Sequence, residues 1–130
     1  MTEEQRPQPN AEVANATAKL QRPRQRRASK SLTAIHVEVV GGPMDGVTAR
    51  VESDVLTIGR SPRSDLALGL DPLVSMKHAQ ILRKETGFWL EDLGSSNGTY
   101  VGEHQVQDPI LIGPGTVVSV GSTTIEFTPG

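Results

Sequence analysis

The sequence predicts an all-β sandwich or barrel, and three observations carry that prediction. Ten short runs rich in Val, Ile, Leu and Thr follow one another from Thr33 onward. Gly, Pro, Asp or Ser interrupts almost every gap between them, as expected where strands are joined by tight turns. No segment sustains the 3.6-residue apolar period of a core helix. Many short strands at regular spacing, in about 100 residues, match two packed sheets.

The runs are Thr33–Val40, Val47–Val51, Val55–Gly59, His78–Arg83, Phe88–Leu93, Thr99–Val101, Gln105–Val106, Ile110–Ile112, Thr116–Val120 and Thr123–Phe127. The first is β-branched and partly alternating, and Gly41-Gly42-Pro43-Met44-Asp45-Gly46 turns the chain after it. Side chains two residues apart on a strand share a face. That spacing nominates Ile35, Val37, Val39, Leu56, Ile58, Ile81, Phe88, Leu90, Val118, Val120, Ile125 and Phe127 as the core.

A chain of 130 residues suits one domain, but its net charge of −2 averages two unlike segments. Residues 1–31 carry seven basic and three acidic groups, a balance of +4, with Met1, Val13 and Leu20 as the sizeable apolar side chains. Such a segment cannot bury enough apolar surface to offset backbone ordering at about 1–2 kcal/mol per residue. It reads as a disordered basic tail over 1–31 ahead of a folded domain over 32–130. That domain has six basic and twelve acidic residues, a balance of −6. With no cysteine, disulfides, thiolate metal sites and cysteine nucleophiles are excluded. No apolar run reaches a membrane span, and Met1–Leu20 lacks the apolar core of a secretory signal, so the expectation is a cytoplasmic protein.

Three stretches between strands combine unusual polar chemistry. They are Ile58-Gly59-Arg60-Ser61, Val74-Ser75-Met76-Lys77-His78-Ala79 and Gly94-Ser95-Ser96-Asn97-Gly98-Thr99-Tyr100-Val101. Taken singly each is ordinary: an arginine at a strand end is surface, a histidine at a strand start is a hydrogen-bonded support, and Asn-Gly is a turn. Together they supply a guanidinium, an amine, several hydroxyls and a loop of backbone N–H groups. That inventory fits a doubly charged tetrahedral anion, with arginine as a two-pronged donor and serine and lysine as single donors. There is no Walker loop, no metal-ligand pair and no nucleophile elbow, and Ser75 and His78 lack a carboxylate partner for a hydrolase triad. Neither a cofactor nor an enzymatic activity is expected.

The order Gly-Arg, Ser-x-x-His, Asn-Gly-Thr resembles the forkhead-associated (FHA) domain over roughly Thr33–Phe127. The stretch Leu-Glu-Asp-Leu-Gly-Ser-Ser-Asn-Gly-Thr-Tyr-Val adds to the likeness. The resemblance implies an eleven-stranded, mainly antiparallel β-sandwich whose loops bind phosphothreonine peptides. It assigns phosphate binding to Arg60, Ser75 and Ser96, with Lys77 as a further contact. It gives Asn97 to the peptide backbone and support of the site to Gly59, His78, Gly98 and Thr99. Ser61, beside Arg60, is a further ligand contact. Met76 departs from the family, where a polar residue is common. The loops 61–64 and 69–74 help choose the residue three after the phosphothreonine. Leu73 and Val74 there suggest an aliphatic preference.

The expected partner is a phosphothreonine protein made by a Ser/Thr kinase, in signalling. Thr17, with Leu20 three residues on, and Ser29, after Arg26-Arg27, mark the tail itself as a phosphorylated ligand for the same site, at the roughly millimolar effective concentration of a tethered segment. The alternative is an adaptor that uses Arg22–Lys30 to associate with nucleic acid, since basic runs bind phosphate backbones. The acidic domain, with Phe88, Trp89, Tyr100 and Phe127 as its aromatics, argues against specific nucleic-acid recognition.

Overall fold

The computed structural model describes residues 34–130. The expectations for the tail, including Thr17, Ser29 and the basic run, lie outside the described residues. The described chain forms β1 (Ile35–Gly41), β2 (Thr48–Val51), β3 (Val55–Gly59), β4 (Leu66–Ala67), β5 (Ala79–Lys84) and β6 (Gly87–Asp92), then β7 (Thr99–Val101), β8 (His104–Gln105), β9 (Ile110–Ile112), β10 (Val117–Val120) and β11 (Thr123–Phe127). A six-stranded sheet runs β2-β1-β11-β10-β7-β8 and a five-stranded sheet runs β4-β3-β5-β6-β9. No strand pairing joins the two.

Alternation builds the space between the sheets. Ile35, Val37 and Val39 of β1 are buried while Glu38 and Val40 face out, and Thr123, Ile125 and Phe127 of β11 repeat the pattern. The register sets Val37 opposite Phe127 and Val39 opposite Ile125. In the other sheet Leu56, Ile81 and Leu90 form one row across β3, β5 and β6. Each such side chain gains about 1.5–3 kcal/mol by leaving water. Phe88 meets Phe127 edge to face, with ring centroids 5.0 Å apart, and so joins one sheet to the other. It is only half-buried, because it stands at the margin of the core rather than within it.

The structure adds one strand to the ten runs of the sequence reading. Strand β4 is new, a two-residue segment paired in parallel with β3 through Ile58 and Leu66. Two residues are too few to display a period, yet Leu66 and Leu68 are fully buried. The Asn97-Gly98 turn closes no hairpin, since β6 and β7 lie in different sheets and the loop crosses between them.

The register also gathers one end of the molecule. Ile58, at the end of β3, opposes Ala79, at the start of β5, and Ala79 opposes Asp92, at the end of β6. In the other sheet Thr99, at the start of β7, opposes Val120, which leads into the β10–β11 turn. The β3–β4, β4–β5 and β6–β7 loops and the β10–β11 turn therefore share one rim.

Candidate functional site

Gly59 and Arg60 end β3 at this rim. A Cβ on Gly59 would sit 2.2 Å from the Met76 carbonyl oxygen, so only glycine lets the two loops come this close. The close approach is stitched by the backbone: Arg60 N–H donates to the Ser75 carbonyl at 2.9 Å and Ser61 N–H to the Met76 carbonyl at 3.3 Å. The Arg60 side chain is exposed, and its Nε donates to the Val74 carbonyl at 2.9 Å. This anchor aims the guanidinium and leaves both Nη groups without a partner among the described residues.

His78 fastens the three stretches together. It is fully buried; its Nδ1 accepts the Ser75 N–H at 3.0 Å and its Nε2 lies 2.8 Å from the Gly98 carbonyl. A backbone N–H only donates, so Nδ1 bears the lone pair and Nε2 carries the proton to Gly98. Gly98 holds φ +88°, which L side chains seldom adopt, and its carbonyl direction depends on that turn.

Ser75 and the third stretch meet directly. The Ser75 hydroxyl accepts the Ser96 N–H at 3.0 Å, which leaves the hydroxyl proton to donate outward. Asn97 Nδ2 donates to the Leu73 carbonyl at 2.8 Å, so its amide oxygen stays available as an acceptor. Ser96 and Asn97 are both exposed at the rim. Thr99, in contrast, is buried, and its hydroxyl donates to Asp92 at 2.6 Å. Lys77 and Ser61 line an adjoining groove on the outer side of the five-stranded sheet. Leu73 is exposed, but Val74 is in the core and 1% exposed, so the loop offers Leu73 to a ligand, not Val74. Met76 is exposed next to them.

Two carboxylates that the sequence reading assigned no role shape these loops. Asp92 accepts the Ser95 hydroxyl at 2.5 Å and the N–H groups of Gly94 and Ser95, while Ser95 accepts the Gly98 N–H at 3.0 Å. Asp71 is fully buried and accepts Leu73 N–H, Ser122 N–H and the Thr123 hydroxyl, which ties the β4–β5 loop to the β10–β11 turn. The sequence signals were Asp-Pro at 71–72 and Asp-x-Gly-Ser at 92–95, in which Asp bonds backbone two residues on.

Burial alone would raise both carboxyl pKa values. For Asp71 the Thr123 hydroxyl and the Leu73 and Ser122 N–H groups outweigh it, and for Asp92 the Ser95 and Thr99 hydroxyls do, so both lie below 3.8. A carboxylate depressed on folding stabilises the fold above its unfolded pKa of about 3.9, and that stability is lost as pH falls through the folded value. Urea midpoints should therefore hold between about pH 7 and 5 and fall below about pH 4. Asp71→Asn should flatten that acid limb, and an unchanged slope would show that Asp71 is not part of it.

The charges are laid out unevenly. Of the six cations in the described domain, Arg50 pairs with Glu52, Arg83 pairs with Asp54 and Lys84 lies over the Trp89 ring. Arg60, Arg63 and Lys77 lie at the loop end, and no carboxylate pairs with them among the described residues. The rim thus presents a guanidinium, a hydroxyl proton and an amide acceptor in an otherwise acidic domain.

The chain is similar to known proteins in sequence and in fold. The FHA domain profile matches residues 56–121. The FHA domain-containing protein FhaB of Mycobacterium tuberculosis is 34% identical over 106 residues, covering 82% of this chain and 65% of that protein. The glycogen accumulation regulator GarA of the same organism is 34% identical over 89 residues, covering 68% of this chain and 54% of that protein. The chain thus spans somewhat over half the length of these relatives. Among solved structures, an FHA domain from a study of phosphothreonine-dependent FHA interactions superimposes with a TM-score of 0.65 at 26% identity, over 75% of this chain and 98% of that one. With the residues 56–121 matched and the eleven-stranded sandwich in place, this chain belongs to the FHA domain family.

Proposed function

We propose that the domain binds phosphothreonine-containing segments of a partner protein and so makes an association depend on a Ser/Thr kinase. The observation that carries this reading is the direct bonding of the three stretches at one rim: Arg60 N–H to the Ser75 carbonyl, Ser96 N–H to the Ser75 hydroxyl, and the Asn97 amide to the Leu73 carbonyl. A phosphothreonine brings about −1.5 to −2 charge and three acceptor oxygens. Arg60 would grip it by the Nη pair, with the Ser75 and Ser96 hydroxyls adding donors and the Asn97 amide oxygen receiving a peptide N–H. The pull is local, because a −6 domain gives unphosphorylated acidic peptides little attraction. Threonine would gain over serine by burying its γ-methyl, worth about 0.8 kcal/mol, or about fourfold in affinity.

A hydrolytic reading has no support in the geometry. Both His78 ring nitrogens are engaged and the ring is buried, so His78 cannot take a proton from Ser75. A binding module in the cytoplasm is the reading we adopt; among the described residues no helix is long and apolar enough to cross a membrane. The nucleic-acid alternative rests on residues 22–30, which lie outside the described residues, and the folded domain's −6 charge opposes a polyphosphate.

An oriented library of phosphothreonine peptides, with phosphoserine and unphosphorylated counterparts, tests the reading. Selective capture of the phosphothreonine set, with phosphoserine weaker and unphosphorylated peptides unbound, is the expected result. Equal capture of all three sets would refute it.

A further inference from the structure

Beside the three-loop rim runs a groove of ≈470 Å³ that the phosphate donors do not fill. Its floor is the outer face of the five-stranded sheet, where Thr57 and Gln80 stand opposite each other, and Ser61, Arg63, Lys77 and Leu93 wall it. It continues from the phosphate site. Arg60 is bonded to Ser75, and one residue further along each loop Ser61 is bonded to Met76, which precedes Lys77.

Arg63 is held in place by its backbone. Pro62 stands second in a turn closed by Ser64 N–H to the Ser61 carbonyl at 3.0 Å, and Arg63 N–H donates to the Ser61 hydroxyl at 3.1 Å. Proline at that position presets the turn. The turn thus brings Arg63 to the groove, which Lys77 of the β4–β5 loop also lines. Among the described residues, no acidic side chain lines the groove. The carboxylates beside lining residues in chain or sheet are bonded to neutral donors rather than paired with either cation: Asp65 accepts the Thr57 N–H and hydroxyl, Glu91 accepts the Gln80 amide at 2.8 Å, and Asp92 accepts the Ser95 and Thr99 hydroxyls. Two cations facing one groove repel each other, and an anion between them relieves that repulsion.

We propose that this groove takes a second anionic side chain of the same partner segment, an Asp or Glu carboxylate or a further phosphate group, seated between Arg63 and Lys77. The proposal rests on the phosphothreonine reading and adds a charge requirement to it. An extended segment advances about 3.3 Å per residue, so the second anion belongs to the residues immediately flanking the phosphothreonine.

The test uses the protein with phosphothreonine peptides randomised at the flanking positions, followed by calorimetry at the position selected, occupied in turn by Ala, Glu, phosphoserine and Lys. The wild type should bind the Glu peptide about threefold more tightly than the Ala peptide, and the phosphoserine peptide more tightly still, about tenfold. The order of those two arms tells which source of anion the groove prefers. Arg63→Ala should erase the preference and Arg63→Glu should turn it toward Lys, with affinity for the Ala-flanked phosphothreonine peptide unchanged in both. Phosphothreonine binding with no acidic selection at any flanking position, or a preference that survives Arg63→Glu, overturns the groove assignment alone. Loss of phosphothreonine binding by the wild type overturns the reading beneath it.

Discussion

Arg60→Ala should lower affinity for a phosphothreonine peptide at least about tenfold, because a hydrogen bond to a charged group is worth about 1.5–3 kcal/mol. The side chain is exposed, and its one hydrogen bond among the described residues runs from Nε to the Val74 carbonyl. Losing that bond costs about 0.5–1.5 kcal/mol of stability, so the loss of binding should far exceed any unfolding. Arg60→Lys separates charge from shape. A lysine restores the charge but not the planar fork, and recovery should be partial. Calorimetry on the folded variants decides it: wild-type affinity in Arg60→Ala would remove Arg60 from the phosphate site.

His78→Ala should act in the opposite proportion, on stability first and on binding as a consequence. The substitution leaves the Ser75 N–H and the Gly98 carbonyl without their partner in the interior. An unpaired buried polar group costs about 1–3 kcal/mol, and the vacated ring volume adds to it. A total of about 3–5 kcal/mol is a large share of the 5–15 kcal/mol that holds a typical domain together. Because the ring joins the Ser75 loop to the Gly98 turn, affinity should fall as well, through loosened placement of the Ser75 hydroxyl and Asn97. Urea denaturation alongside calorimetry separates the roles. A variant with wild-type stability and lost binding would mean that His78 touches the ligand rather than bracing the loops.

The strands most legible in the sequence are those long enough to show alternation. β1, β3, β5 and β11 each have buried residues two apart, and Val55–Gly59, Thr99–Val101, Ile110–Ile112 and Thr123–Phe127 begin and end where the sequence reading put them. β4 was invisible because its two residues are held by a parallel partner rather than by any local pattern. The buried positions of Leu66, Leu68, Val74 and Val106 were missed for a related reason. They sit in or beside loops that fold inward, and loop residues carry no periodicity from which burial can be read.

For the candidate site, sequence alone determined which chemical groups are available: the Gly59-Arg60 pair, the Ser75 and His78 spacing, and the Asn97-Gly98-Thr99 run. These are local choices of residue type and are visible wherever they occur. Tertiary structure decided what those groups can do together. It packed the Gly59 backbone against the Met76 carbonyl, assigned the His78 proton through Ser75 and Gly98, and turned Val74 into the core while leaving Leu73 outside. It also set Arg63 and Lys77 about one groove, a pairing across fourteen positions of chain. The physical reason is that direction, burial and the pairing of charges depend on which loops the two sheets bring to a common end, and that follows from strand register between residues far apart in sequence.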